Sequence, residues 1–260
     1  MRQVTARTAD GQPMTVSVRD GNADKPTVLF IHGWTCRRAY WEPQIEALPG
    51  EYPVLAPDLP GHGDTPAPDR ADWTIEGLAE DVCQLVAEHA EADVILVGHS
   101  MGGAVALEAA ARLDQQARGV ILADTFVIDY GGLDADTQEQ IHKSFRDDFS
   151  EAIAALVENT STEITPDTLK ERLRTEMAQA DPAWALPLWK SLLAWSPAAA
   201  FERMQCPVHA INGKLIPESS RERWSAHMTE TVMPDSGHFL QMEAPQVFNG
   251  HLLDALRRFG

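Results

Sequence analysis

Cysteine is scarce in this sequence, which has only three, at Cys36, Cys83 and Cys206. They lie far apart, their number is odd, and no two of them form a CxxC pair. This pattern argues against a disulfide framework and against a thiolate zinc site. We therefore expect the chain to occupy a reducing compartment.

Long hydrophobic runs are also missing. No apolar stretch approaches the roughly 18 residues that are needed to cross a bilayer. The opening residues, MRQVTARTADGQ, lack the apolar core of a signal peptide. We predict a protein that crosses no membrane and that is located in the cytoplasm.

Positive charge is the third deficit. Lys and Arg number 21 against 39 Asp and Glu, so the formal net charge is -18, and the isoelectric point is near 4.8. Such a surface repels phosphate backbones and anionic lipids. The composition therefore argues against nucleic acid or a membrane as a partner. It leaves open whether the acidity reflects a saline habitat.

The 260 residues suit one domain, and strands and helices alternate along most of them. Short apolar runs predict strands at 14–18, 27–32, 52–58, 94–97, 119–123, 206–213 and 229–234. Helical spacing of apolar residues predicts helices at 39–48, 73–90, 102–112, 219–227 and 245–258. This alternation predicts an α/β fold, a mostly parallel sheet with helices on both faces.

The alternation breaks between residues 125 and 200, where no strand is predicted. Three N-cap residues followed by proline mark helix starts there, at Thr165-Pro166, Asp181-Pro182 and Ser196-Pro197. We predict a helical cap at 125–200, inserted into a core domain formed by 1–124 and 201–260. The cap is expected to cover the carboxyl edge of the sheet, where open α/β folds bind ligands.

One serine stands at a sharp junction between a predicted strand and a predicted helix. The segment Gly98-His99-Ser100-Met101-Gly102 matches G-x-S-x-G in the context that this motif requires. A phosphate-binding loop is the alternative, but the Gly-Lys-Ser/Thr of a P-loop is absent. Backbone strain of about 1–3 kcal/mol at one residue is typical of a functional site, so Ser100 is the candidate nucleophile.

Together with this elbow, three further segments carry a family resemblance: HGW at 32–34, DLPGHGD at 58–64 and SGHF at 236–239. The sequence resembles α/β-hydrolase fold enzymes with a helical cap, in particular serine carboxylesterases. The resemblance implies that His238 is the base and that the main-chain N–H groups of Trp34 and Met101 form the oxyanion hole. It implies no cofactor and no metal.

The acid of the triad is less clear, because the position where this family usually carries an aspartate is Ile216. Two replacements are available. Asp124 ends a predicted strand, where a minority of the family carries the acid, and Glu218 lies two residues beyond the vacant position. We favour Asp124, with Glu218 as the fallback, because Asp124 keeps the order serine, acid, histidine along the chain.

The predicted function is a carboxylesterase that cleaves small to medium acyl esters through an acyl-enzyme. Hydrolysis of a carbon–carbon bond in a ring-cleavage product, of a lactone or of an amide uses the same triad. The absence of the usual acid also keeps open a weakly catalytic ligand-binding protein. Arg37 or Arg38 either grips a substrate carboxylate or forms surface ion pairs. The sequence names neither the substrate nor the oligomeric state.

Overall fold

An eight-stranded sheet forms the centre of the computed structural model, which describes residues 1–70, 72–90 and 92–260. The spatial order is β1-β2-β4-β3-β5-β6-β7-β8. Strands β1 and β2 are antiparallel to their neighbours, and the other pairs are parallel. The strands are β1 (Arg2–Arg7), β2 (Pro13–Arg19), β3 (Thr27–Ile31), β4 (Val54–Pro57), β5 (Val94–His99), β6 (Ala117–Ala123), β7 (Val208–Asn212) and β8 (Thr229–Val232). The predicted mostly parallel α/β fold is confirmed.

Helices cover both faces of this sheet. They are α1 (Glu42–Ala47), α2 (Ile75–His89), α3 (Met101–Leu113), α4 (Ala135–Asp147), α5 (Phe149–Asn159), α6 (Asp167–Met177), α7 (Pro182–Ala194), α8 (Ala198–Arg203), α9 (Glu218–Trp224), α10 (Leu240–Glu243) and α11 (Pro245–Phe259). No helix of the described residues combines the length and the apolar character that a bilayer crossing requires.

Two hydrophobic cores lie on opposite sides of the sheet, because successive side chains of a strand point to opposite faces. In β5, Leu96 packs in the core shared with α2 and α3, whereas Ile95 packs in the core shared with α1 and α11. Both residues are fully buried. This explains why the central strands read as continuous apolar runs rather than as alternating ones.

Five helices, α4 to α8, separate β6 from β7, and no strand interrupts the described residues there. We call residues 125–203 the helical segment. The predicted cap at Asp181 is correct, since its side chain accepts from the N–H of Ala183 at 2.9 Å. The other two caps are wrong by one residue, because α6 and α8 begin after Pro166 and Pro197. A residue at the N-cap position contributes its carbonyl to the helix and not its N–H, so the missing N–H of proline costs nothing there.

Strand β1 was not predicted from the sequence. Its side chains are mostly exposed, and only Ala6 is buried. An edge strand with one buried side chain gives no apolar period, so its place in the sheet depends on main-chain pairing with β2.

Candidate active site

Ser100 occupies a strained turn at the carboxyl end of β5. Its φ of 54° and ψ of −123° lie outside the helical region, and α3 begins at the next residue. The turn is held from both sides: the Ser100 N–H donates to the carbonyl of Ala123 at 3.0 Å, and the Ser100 carbonyl accepts from Gly103 at 2.8 Å. The elbow predicted from the motif is therefore present, with the serine at its apex.

The two glycines of the motif are required by space. A Cβ at Gly98 would lie 2.2 Å from the carbonyl oxygen of Gly102, and a Cβ at Gly102 would lie 2.3 Å from the carbonyl oxygen of Ile31. Both contacts are with main chain, which cannot rotate away as a side chain can. The sharp strand-to-helix junction therefore excludes any side chain at these positions.

His238 lies in the loop after β8 and meets a carboxylate from the end of β6. Its Nδ1 atom is 2.8 Å from Oδ2 of Asp124, whose other oxygen, Oδ1, accepts from the main-chain N–H of Gly213 at 2.7 Å. Asp124 is fully buried, and its side chain makes no capping bond to the turn that follows it. The carboxylate thus fixes the ring so that Nε2 is the nitrogen left for another partner.

Glu218, the alternative acid, is placed differently. It is the first residue of α9, and its side chain is exposed. Among the hydrogen bonds of the described residues, none joins Glu218 to His238, whereas Asp124 provides one. The geometry thus brings Asp124 rather than Glu218 to the imidazole.

Ser100 and His238 both line one cavity of about 260 Å³. Across residues 1–70, 72–90 and 92–260, no hydrogen bond joins the serine hydroxyl to the imidazole. In many hydrolases this bond shortens only when substrate is present. Ser100 and His238, the predicted nucleophile and the predicted base, therefore line the same cavity.

Two main-chain N–H groups that directly follow the lining residues Gly33 and Ser100 have no acceptor among the described residues. Neither Trp34 nor Met101 donates its main-chain N–H to an acceptor within the described part of the chain. Met101 opens α3, so its N–H also lies at the positive end of the helix dipole. The Trp34 side chain holds its loop: Nε1 donates to the carbonyl of Ala185 at 3.0 Å, and the indole stacks on Trp189 with ring centres 4.5 Å apart.

His99, the second residue of the elbow motif, fixes the loop that carries the imidazole. Its Nε2–H donates to the main-chain carbonyl of His238 at 2.9 Å. Burial lowers the pKa of His99 well below its usual value, and the nearby His238 lowers it further. The ring therefore stays neutral, and the strand carrying Ser100 is bonded directly to the loop carrying His238.

The segment 58–64 supports the loop of Trp34 from behind. Asp58 is fully buried; it accepts from the main-chain N–H of Arg38 at 2.7 Å and forms an ion pair with the Arg38 guanidinium. His32 accepts at Nε2 from the N–H of Leu59 at 3.0 Å and donates from Nδ1 to the carbonyl of Gly33 at 2.8 Å. Burial lowers the pKa of His32 to about 4, so this bridging ring is neutral.

Neither arginine of the predicted substrate grip lines the cavity. Arg38 pairs with Asp58 and Asp64, and Arg37 lies outside the lining residues. Of the two alternatives for these arginines, the ion pairs are thus observed for Arg38, and the grip on a substrate carboxylate is not supported. The buried carboxylate of Asp58 explains the placement of Arg38, because an unpaired buried charge is costly.

The rest of the cavity wall is mostly apolar. Its apolar members are Val127, Ile128, Leu156, Met177 and Trp189 of the helical segment together with Cys36, Leu215 and Phe239, and the helical segment also contributes the polar Tyr130, Asn159 and Thr160. Burial raises the pKa of the Cys36 thiol far above its usual value, so this side chain acts as an apolar surface and not as a thiolate. Such a wall suits an uncharged organic ligand.

Three contributors to this site were not predicted from the sequence. The Tyr130 side chain lines the cavity, the His99 ring holds the His238 loop, and the Gly213 N–H orients Asp124. Only His99 lies within a motif. The other two are brought in by the fold from positions that no local pattern distinguishes.

Comparisons with known proteins agree with this fold. A model of the alpha/beta hydrolase family matches residues 28–251, and the chain belongs to this family. Similar proteins are named as a lipase, a methyl ester esterase and an esterase.

Two relatives and one solved structure illustrate the likeness. The lipase LipV of Mycobacterium tuberculosis is 41% identical over 112 residues, which are 43% of this chain and 42% of LipV, so the match spans less than half of that relative. RutD of Escherichia coli is 28% identical over 250 residues, 90% of this chain and 92% of RutD. An esterase from Exiguobacterium antarcticum superposes with a TM-score of 0.86 over 98% of this chain and all of that one, at 18% identity. At that identity the superposition shows the fold alone.

Proposed function

We propose that this chain is a serine carboxylesterase that cleaves small to medium acyl esters through an acyl-enzyme. The observation that carries the proposal is the bond of 2.8 Å between His238 and the buried Asp124, in a cavity that also holds the strained Ser100. A buried carboxylate on Nδ1, a nucleophile on the same cavity and free N–H groups nearby are the parts that acyl transfer requires.

In the proposed first half-reaction the Ser100 hydroxyl attacks the ester carbonyl while Nε2 of His238 takes its proton. The carbonyl oxygen becomes an oxyanion that accepts from the N–H groups of Trp34 and Met101. Collapse of this intermediate breaks the bond to the alkoxy oxygen, which receives the proton from His238. Water then repeats the sequence on the acyl-enzyme, releasing the carboxylic acid and restoring the serine.

Each protein group has a separate task in this scheme. Asp124 holds the His238 ring in one tautomer and stabilises the imidazolium form. Each oxyanion donor contributes on the order of 10²–10³ in rate. His99 is a positioning residue, since it contacts the His238 main chain and not the reacting atoms. No metal or cofactor has a part in these steps.

The size and polarity of the cavity support the choice of substrate. A space of about 260 Å³ with a largely apolar wall suits a short or medium acyl chain, and LipV and the Exiguobacterium protein are named as a lipase and an esterase. The proposal includes the division into a core of 1–124 and 201–260 and a cap of 125–200, a cytoplasmic location, and a small-molecule ester as the partner.

The test is turnover of a panel of 4-nitrophenyl esters with acyl chains of increasing length. We expect Ser100→Ala to lose at least about 10⁴-fold in kcat/KM and to lose covalent labelling by a fluorophosphonate. Ser144→Ala, which changes an exposed serine of α4, is the matched control and should keep both. Full turnover by Ser100→Ala would refute the proposal, and a wild-type protein that is neither labelled nor active would favour a ligand-binding role.

A further inference from the structure

Tyr130 lies in the short connection between β6 and α4, six positions after Asp124. Its side chain lines the cavity that holds Ser100, and the residue is only 1% exposed. The ring packs edge-on against Trp195, with centres 5.8 Å apart, and the main-chain N–H donates to the carbonyl of Ile128 at 2.8 Å. Both contacts fix the position of the side chain.

The hydroxyl of Tyr130 has no hydrogen-bond partner within residues 1–70, 72–90 and 92–260. The hydroxyl of Tyr40, in contrast, is buried and lies outside this cavity. By contrast, the hydroxyl of Thr160, on the same cavity, donates to the carbonyl of Leu156 at 2.7 Å. A buried hydroxyl without a hydrogen-bond partner lowers the stability of the fold unless a ligand or water accepts a hydrogen bond from it.

The surroundings leave few other roles for this group. The cavity wall is otherwise mostly apolar, and its remaining polar groups either belong to the proposed machinery, pair within the protein, or lie at the exposed position of Asn159. Burial raises the pKa of Tyr130 above its usual value, so the group is a hydrogen-bond donor at every physiological pH. A donor in an apolar pocket selects ligands that bring an acceptor to it.

We propose that Tyr130 is a specificity-determining residue, and that its hydroxyl donates to an ether or ketone oxygen that the substrate carries away from the scissile ester carbonyl. The inference rests on the proposed esterase function and narrows its substrate class. Esters with such an oxygen would be preferred over hydrocarbon esters of the same shape, because the hydrocarbon leaves the Tyr130 hydroxyl unpaired.

The experiment compares esters that differ by one acceptor. On the acyl side, 4-nitrophenyl 3-methoxypropionate is paired with the pentanoate, and the 4-oxopentanoate is paired with the 4-methylpentanoate. On the alcohol side, 2-methoxyethyl acetate is paired with butyl acetate. The measured quantity is the kcat/KM ratio within each pair, divided by the same ratio for Tyr130→Phe, so that differences in intrinsic reactivity cancel.

We expect this double ratio to be roughly 3 to 10 for at least one pair, the usual worth of one neutral hydrogen bond. Tyr40→Phe removes the same atom from a hydroxyl outside the cavity and should leave the ratio at 1. The melting temperature of Tyr130→Phe should equal or exceed that of wild type, because no protein partner is lost. A double ratio of 1 for every pair overturns this inference while leaving the esterase function intact, whereas absence of all turnover by wild type refutes the function itself.

Discussion

Nε2 of His99 lies 2.9 Å from the main-chain carbonyl oxygen of His238, across 139 positions of sequence. The bond joins the last residue of β5 to the loop after β8, so the elbow and the loop of the proposed base cannot shift independently. The His99 side chain thus connects the strand that leads to Ser100 with the main chain of His238, and this bond leaves the side chains of both residues free for other contacts.

We expect His99→Phe to lower kcat by roughly 10-fold with little change in KM, because the His238 carbonyl loses its donor and the loop gains freedom. His99→Gln keeps an N–H donor and should recover part of the loss. The measurement is steady-state kinetics on a 4-nitrophenyl ester. Equal activity of both variants and wild type would show that the bond does not position the imidazole.

Asp124→Asn and Glu218→Gln separate the two candidate acids. Asparagine at 124 cannot hold the imidazole in the productive tautomer, so we expect kcat to fall by on the order of 10³–10⁴. Glutamine at the exposed position 218 should change kcat by less than about twofold. The comparison uses one substrate at one pH, and a large loss confined to Glu218→Gln would reverse the assignment.

Two glycine-to-alanine changes test the close packing of the elbow. At Gly98 the new Cβ would lie 2.2 Å from a main-chain oxygen, whereas at Gly250, exposed in α11, nothing lies within 4 Å. We expect Gly98→Ala to lose more than about 2 kcal/mol of stability and most activity. Gly250→Ala should gain about 0.5–1 kcal/mol from helix propensity. Urea unfolding measures both, and a Gly98→Ala protein as stable as wild type would contradict the structure.

Acid should destabilise this fold through its buried histidines. Burial lowers the pKa of His62 to about 3, and its Nδ1–H donates to the carbonyl of Pro60 at 2.9 Å. Because the unfolded chain binds protons near pH 6.5 and the folded chain does not, stability is complete above pH 6.5 and falls as the pH drops toward 3.

One such histidine contributes a slope of about 1.4 kcal/mol per pH unit in this window. His62→Gln should therefore show a shallower loss of unfolding free energy between pH 6 and pH 5 than wild type. Denaturant titrations at the two pH values give both slopes. Identical slopes would mean that His62 is not kept neutral by the fold.

Much of the main domain could be predicted because its signals are local. Strands such as β3 and β5 are buried on both faces and show as apolar runs, and the elbow has its own motif with a physical reason for each glycine. The order of strands in the sheet, with β4 between β2 and β3, has no local signal. Strand β1 was missed because only one of its side chains is buried, so its sequence shows no apolar pattern.

Candidate site residues could be predicted from the sequence only where they lie within a recognisable motif. Ser100, His238 and Trp34 lie in recognisable segments, and Asp124 was a choice between two acids that only the fold could bring to the imidazole. Tyr130 was not predicted, because the inference about it depends on its hydroxyl having no hydrogen-bond partner among the described residues. No sequence pattern indicates such an absence. The ion-pair alternative for Arg38 was correct, but its buried partner Asp58, which lies 20 positions away, could not be named from the sequence.

Four non-glycine residues of the described chain have positive φ, and two of them, Ser100 and Asp124, belong to this one site. Each such conformation costs about 1–3 kcal/mol, and glycine would relieve it. Glycine at position 100 would relieve this strain and break no side-chain hydrogen bond of the described residues, whereas glycine at position 124 would leave the N–H of Gly213 without its acceptor. Selection for thermal stability alone would therefore favour replacement of Ser100, and it would remove the nucleophile of the proposed mechanism.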